Sequence, residues 1–187
     1  MENTASSDSD MQTDFTKLMG QLDHPMYVVT VQGAEGPSGC LVGFATQISM
    51  NPPLFLVGLS DQNHTWRVSQ AASHLAVHVM PQAEGSVVRL FGEETGDRVD
   101  KFARCSWREG PHSAAILDAS SAWFVGEILA RIEFGDHIGH VLSPVAVMRP
   151  DELHGYVTLS DVTGLIPGLL HDQVTVSVTR PDWPVWS

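Results

Sequence analysis

Six short runs rich in β-branched and aromatic residues, each closed by Gly, Pro or a polar cluster, set the tightest limit on what this chain can become. Residues 26–31 (Met-Tyr-Val-Val-Thr-Val) and 40–44 (Cys-Leu-Val-Gly-Phe) lie on either side of Gly33, Gly36 and Pro37, a pattern that predicts a hairpin. Pro52-Pro53 then launches residues 54–59, whose apolarity on both faces predicts a strand covered on two sides and central to its sheet. Residues 60–64 supply N-cap candidates for a short helix over 65–72. Residues 75–80 return to strand character, and residues 81–91 place Val87, Leu90 and Phe91 at helical spacing, with Gly92 as the stop. Residues 122–129 and 137–148 read as a late antiparallel pair separated by residues 131–136. Six strands with two interspersed short helices disfavour a doubly wound parallel sheet and predict a mainly β fold, a β-barrel with short helices.

A length of 187 residues suits one core rather than two. Residues 1–20, opening in a run rich in Ser, Thr and Asp, are expected to be a disordered tail, and residues 151–187 a C-terminal extension that docks on a partner subunit. Residues 1–16 lack the basic and apolar regions of a signal peptide, and the apolar runs at 54–57 and 145–148 fall far short of the roughly 20 residues that span a bilayer. A soluble, cytoplasmic protein is expected. Ten basic against 22 acidic residues give a formal charge of -12, and the two lysines, Lys17 and Lys101, are far apart. No basic stripe is available, so nucleic acid and anionic membranes are not the expected partners. Cys40 and Cys105 have no CxxC spacing and are expected to pack as thiols.

The chain has no GxGxxG after a strand, no GxxxxGK[ST], no GxSxG and no HExxH. Nine histidines raise the question of a metal. Of the pairs that spacing could join, His74 with His78 and His137 with His140, the first would share a strand face but at about 7 Å per two residues stands too far apart for one ion. The expectation is no metal.

The most informative stretch is residues 43–54, Gly-Phe-Ala-Thr-Gln-Ile-Ser-Met-Asn-Pro-Pro-Leu. Small residues, hydroxyls and a rigid Pro-Pro step into a buried strand would form a crevice suited to a flat heteroaromatic ligand with polar edges. Thr46-x-x-Ser49-x-x-Pro52-Pro53-Leu54 resembles the central signature of the flavin reductase-like family, and three more segments resemble that family in the same order: residues 24–30 (His-Pro-Met-Tyr-Val-Val-Thr), Asn63-His64-Thr65-Trp66, and Gly135-Asp136-His137. Phe91 and Lys101-Phe102 also fall where the family has a Phe and a Lys-Phe pair.

The resemblance, which covers residues 24–148, implies an FMN-binding split β-barrel over residues 21–150, a homodimer, and hydride transfer from NADH or NADPH to FMN or FAD on behalf of a flavin-dependent monooxygenase or another acceptor. It implies that Thr46 and Gln47 meet the isoalloxazine edge, with Ser49 on the same loop or the ribityl chain. Asn63 and Thr65 would hold phosphate with help from Arg67. Trp66 covers the flavin or fills core, and His137 faces the flavin or the nicotinamide. Each position also has a plain structural use: strand hydroxyls for Thr46 and Ser49, N-capping for Asn63, a solvated cation for Arg67, and a turn residue for His137. One departure stands out: where the family has Gly and an acidic residue beyond Gly-Asp-His, this chain has Leu142 and Ser143. Two alternatives remain open on sequence: a split-barrel oxidoreductase using FMN or a deazaflavin directly on a small molecule, and a non-enzymatic flavin- or haem-binding module.

Overall fold

A computed structural model describes residues 8–168. Helix α1 (Asp8–Met19) is followed by β1 (Tyr27–Gly33), β2 (Gly36–Val42), β3 (Ala45–Met50) and β4 (Pro53–Ser60). Helix α2 (His64–Ser69) leads to β5 (His74–Val79) and α3 (Gly85–Glu93), then the small pair β6 (Trp107–Glu109) and β7 (Ala115–Leu117). The long strands β8 (Ala122–Phe134) and β9 (His137–Met148) and a last turn, α4 (Leu159–Val162), complete it. Seven strands form one antiparallel sheet in the order β2-β1-β5-β8-β9-β4-β3.

Alternation along the strands explains why the sheet curls. Val29 and Val31 of β1, Cys40 and Val42 of β2, Val57 and Leu59 of β4, Leu75 and Val77 of β5, and Leu142 of β9 all meet in one buried cluster. Strands from opposite ends of the sheet therefore share one interior, the geometry of a barrel. The alternate residues of β1 and β5 are buried too, because α3, β7 and the C-terminal segment cover the outside: Val28, Met80, Val88, Phe91, Leu117, Val157 and Val162 form a second cluster. Burial on both faces is what makes these strands read as unbroken apolar runs.

The predicted hairpin is β1–β2, turning through Ala34 and Glu35. The late pair is β8–β9, but β8 continues to Phe134, so the connection shrinks to Gly135 and Asp136, with Gly135 at φ +66°. The strand after Pro52-Pro53 is interior yet not central, since β4 sits one place from the β3 end. Residues 43–51 form mostly the end strand β3 rather than an open crevice. Helix α3 runs through Gly92 to Glu93; Gly92 is there because Leu165 and Leu41 approach where a Cβ would stand, at 3.1 and 3.2 Å.

Two boundary expectations change. Within the supposed disordered tail, residues 8–19 are helical, with Met11, Phe15, Leu18 and Met19 at helical spacing and all exposed. The polar composition hides that stripe. Residues 157–168 dock on their own chain: the backbone of Val157 bonds Met26 and Met80, Leu159 N–H donates to His24 O, and Gly168 N–H to Gly92 O. Val157 and Val162 are core residues, so the domain extends past residue 150. The apolar segment at 174–178 and the prolines and tryptophans at 181–186 lie outside the described residues.

Candidate functional site

Strand β4 lines one of two cavities, and helix α2, which follows it, lines the other. The first, about 620 Å³, is lined by His24, Pro25, Phe44, Thr46, Leu56, Phe134, Asp136 and His137, over a floor of Gly43 and Gly58. Register explains the assembly: Thr46 pairs with Leu56 across β3–β4, and Ser60 of β4 pairs with His137, the first residue of β9. Gly58 N–H donates to Phe44 O at 2.7 Å, and a Cβ on Gly58 would meet Phe44 Cβ at 3.1 Å. The missing side chain lets Phe44 fold over the strand, edge-on to the His137 ring at 4.8 Å between centroids. His137 Nδ1 bonds Asp136 Oδ1 at 2.8 Å.

The second cavity, about 790 Å³, runs along β2 between the β1–β2 hairpin, α2 and residues 96–102. Asn63 caps α2: its backbone is extended and its Oδ1 accepts from Thr65 N–H at 2.9 Å. Thr65 is buried, with its hydroxyl 3.1 Å from Ser38 Oγ, and His64 Nδ1 lies 2.9 Å from that same oxygen. Gly96 leaves room for the His64 ring, which a Cβ there would meet at 2.6 Å. Arg67 spends one guanidinium nitrogen on both oxygens of Asp97, at 2.5 and 2.6 Å, and this hydrogen bonding holds the Asp97 carboxyl below the usual range. Lys101, almost wholly buried, donates to Gly39 O at 2.9 Å and Phe91 O at 3.4 Å; burial lowers its pKa. In the turn after β4, Asp61 N–H donates to the backbone oxygen of Asp136, a residue of the first cavity, at 3.1 Å.

Of the expected site residues, Thr46 and His137 share the first cavity, and Arg67 lines the second. Asn63 and Thr65 stand behind the second cavity as cap and buried hydroxyl and do not line it. Gln47 and Ser49 line neither; Gln47 Nε2 donates to Ser49 O at 3.0 Å, within β3 itself. Trp66 packs on the barrel interior. His24, Phe44 and His64 stood within the quoted segments, and Ser38 outside them, but none had an assigned role, because strand register and close glycine approaches bring them to the cavities.

The histidine pairs have structural uses. His78 Nδ1 donates to Val28 O, and its Nε2 accepts from Leu117 N–H. His140 Nε2 lies 2.9 Å from Ser69 Oγ, and burial lowers its pKa. His74 stacks on His112. Among the described residues no three His, Cys, Asp or Glu side chains are grouped to hold a metal, and no helix is long and apolar enough to cross a membrane. Cys40 is buried and Cys105 half-buried, both free thiols raised in pKa chiefly by burial. The departure at Leu142 is a core substitution: Leu142 is fully buried, and its Cβ lies 2.7 Å from where a Cβ on Gly126 would stand.

Comparison with known proteins bears on this arrangement. The chain is 33% identical over 131 residues to the reductase subunit of stachydrine N-demethylase of Rhizobium meliloti, covering 68% of this chain and 55% of that one. It is 29% identical over 162 residues to the reductase subunit of a flavin-dependent monooxygenase of Mycobacterium tuberculosis, covering 82% of each. It spans about half, or less, of the length of the two Rhizobium meliloti relatives, 55% and 35%. The solved structure of an NADH:FAD oxidoreductase of Streptomyces globisporus superposes with a TM-score of 0.72 at 23% identity, covering 82% of this chain and 92% of that one, a likeness of fold. The model of the flavin reductase like domain matches residues 19–172, from the end of α1 through the docked C-terminal segment, and the chain belongs to that family.

Proposed function

We propose that this protein is an NAD(P)H-dependent flavin reductase that hands reduced flavin to a partner monooxygenase. The observation that carries the reading is the first cavity: Thr46 and His137, from separate motifs, converge on a space walled by Pro25, Phe44, Leu56 and Phe134. A planar heteroaromatic ring needs such apolar walls with a few polar groups at its edge, and the residues present fit FMN or the isoalloxazine of FAD. The flavin, when bound, supplies the hydride-accepting chemistry. The protein's part is placement. Thr46 and the β3 backbone orient the ring edge, Phe44 and Phe134 exclude water, and His137, held through Nδ1 by Asp136, presents its other nitrogen to the cavity to orient the nicotinamide or relay a proton.

Asn63, Thr65 and Arg67 support the phosphate end in this reading, Asn63 and Thr65 by shaping the turn and Arg67 by exchanging Asp97 for phosphate. A homodimer belongs to the proposal as well. Ile48 and Met50 of the end strand β3, Leu129, Ile132 and Phe134 of β8, and Val145 and Val147 of β9 are exposed apolar side chains, more than an isolated subunit ordinarily leaves in water. A cytoplasmic location goes with the NADH or NADPH that the reaction consumes.

The test is anaerobic stopped-flow absorbance. Purified protein with FMN or FAD should bleach at about 450 nm with NADH or NADPH and turn over many times. Bound flavin that neither donor reduces would overturn the reading. His137→Ala should slow reduction about tenfold or more while flavin affinity holds, as loss of a positioned acid-base group does. Asn63→Ala should weaken flavin binding several-fold, and unchanged affinity would remove the phosphate assignment.

A further inference from the structure

His24 lies three residues before the start of β1 and has no expected role, yet it lines the first cavity. Its Nδ1 is 3.1 Å from Leu22 O. A carbonyl oxygen only accepts, so Nδ1 carries the proton, and in the neutral ring Nε2 is left with an unshared pair. That nitrogen sits over Gly43, 3.1 Å from where a Cβ would stand, in space that only glycine leaves. The backbone around it is fixed from the far end of the chain. Leu159 N–H donates to His24 O at 3.0 Å, Pro25 bridges Thr158, and Ser160 bonds the Asp23 carboxylate through its N–H at 3.0 Å and its hydroxyl at 2.9 Å. The tight placement is not needed for packing, since the His24 ring is only half-buried.

We propose that His24 is a ligand-binding residue whose Nε2 accepts an amide N–H from the planar heterocycle in the first cavity, either the imide N–H of the flavin ring or the carboxamide of the nicotinamide. The inference rests on the reading of that cavity given above. Much of the wall makes an acceptor there useful: the side chains of Pro25, Phe44, Leu56 and Phe134 offer an amide N–H no partner, which leaves Thr46, Asp136 and the two histidines as the side-chain acceptors of the lining, and an amide buried without one would cost binding energy. His137 stands among the same walls with Nδ1 likewise spent on an oxygen, so the cavity carries two imidazoles, each anchored through Nδ1, from segments far apart in the chain.

Two analogues separate the two sources of the N–H. FMN is compared with 3-methyl-FMN, which lacks the imide proton, and NADH with reduced nicotinic acid adenine dinucleotide, which lacks the carboxamide NH2. His24→Ala should raise either the Kd for FMN or the KM for NADH about tenfold, roughly the worth of one well-placed hydrogen bond. It should leave the matching analogue unaffected, and His24→Gln, which keeps an acceptor oxygen, should recover most of the loss. A loss in Kd names the flavin, and a loss in KM names the nicotinamide. Unchanged constants for both, or an equal loss with the analogue, would overturn the proposal. If the wild-type protein binds flavin but no donor reduces it, the reductase reading fails while the FMN comparison still decides His24. A wild-type protein that binds no flavin would overturn both.

Discussion

His78 spends both ring nitrogens on the backbone, donating from Nδ1 and accepting at Nε2, which only the neutral imidazole can do. Complete burial pushes its pKa down to about 4. The unfolded chain takes up the proton near pH 6.5, so between that value and about 4 the unfolded state holds the extra proton and stability falls as the pH falls. The loss should be about 3 kcal/mol by pH 4, measured as a drop in the urea midpoint. In His78→Leu this residue's share of the slope should vanish, at a cost at pH 7 of about 1–3 kcal/mol for stranding Val28 O and Leu117 N–H. A variant that keeps the full slope would locate the proton elsewhere. Gly126 makes the second residue-scale prediction. Because Leu142 Cβ occupies the space beside it, Gly126→Ala should destabilise by about 1–3 kcal/mol. Neither role was visible beforehand. His78 read as an ordinary polar histidine once a metal pair with His74 was set aside, and Leu142 as a departure from a motif, because a one-dimensional pattern does not say what lies across the strand.

At the scale of elements, the C-terminal segment is the piece whose role most needed coordinates. Val157 has two backbone bonds that tie β5 to the residues before β1, and its side chain is 2% exposed. Val157→Ala should therefore cost on the order of 2 kcal/mol in thermal or urea unfolding of the monomer. Ser160→Ala, which removes one bond to an exposed Asp23, should barely move stability yet loosen His24, and the KM for NADH or Kd for FMN reports that. Strands β1, β2, β4, β5, β8 and β9 were legible because their apolar residues are dense and their ends carry Gly or Pro. Strand β3 was not, since its exposed polar residues imitate a loop, and α1 was not, since an amphipathic stripe in an acidic 12-residue helix lies below what composition reveals. The cavity residues were half legible: Thr46 and His137 took roles from their motifs, whereas His24 and Phe44 lay in quoted segments without a role and reach the cavity where Gly43 and Gly58 lack side chains.

At the scale of the whole molecule, the formal charge of -12 and the proposed anionic ligand are compatible, because the first cavity is walled mostly by uncharged groups and the second sets Arg67, Arg98 and Lys101 against Glu35, Asp97 and Asp100, so neither carries the excess of acid. The apolar side chains on β3, β8 and β9 predict self-association: Met50→Asp with Val147→Asp should shift light scattering from dimer to monomer and weaken flavin binding, while the monomer keeps its far-ultraviolet circular dichroism. A monomeric wild-type protein would remove the dimer from the proposal. Both rims of the sheet are blunted, by different means. At β2, Pro37 has no N–H to offer, and Lys101 occupies Gly39 O. At β3, the Gln47 amide occupies Ser49 O beside a bulge. A sheet stopped at both rims does not grow edge to edge, which leaves its exposed faces as the place for a second copy to meet it. Lys101, read as a buried cation between two carbonyls, is in that light also a stop on edge growth: replacing it with Met should free an acceptor on the β2 rim and raise light scattering at high protein concentration.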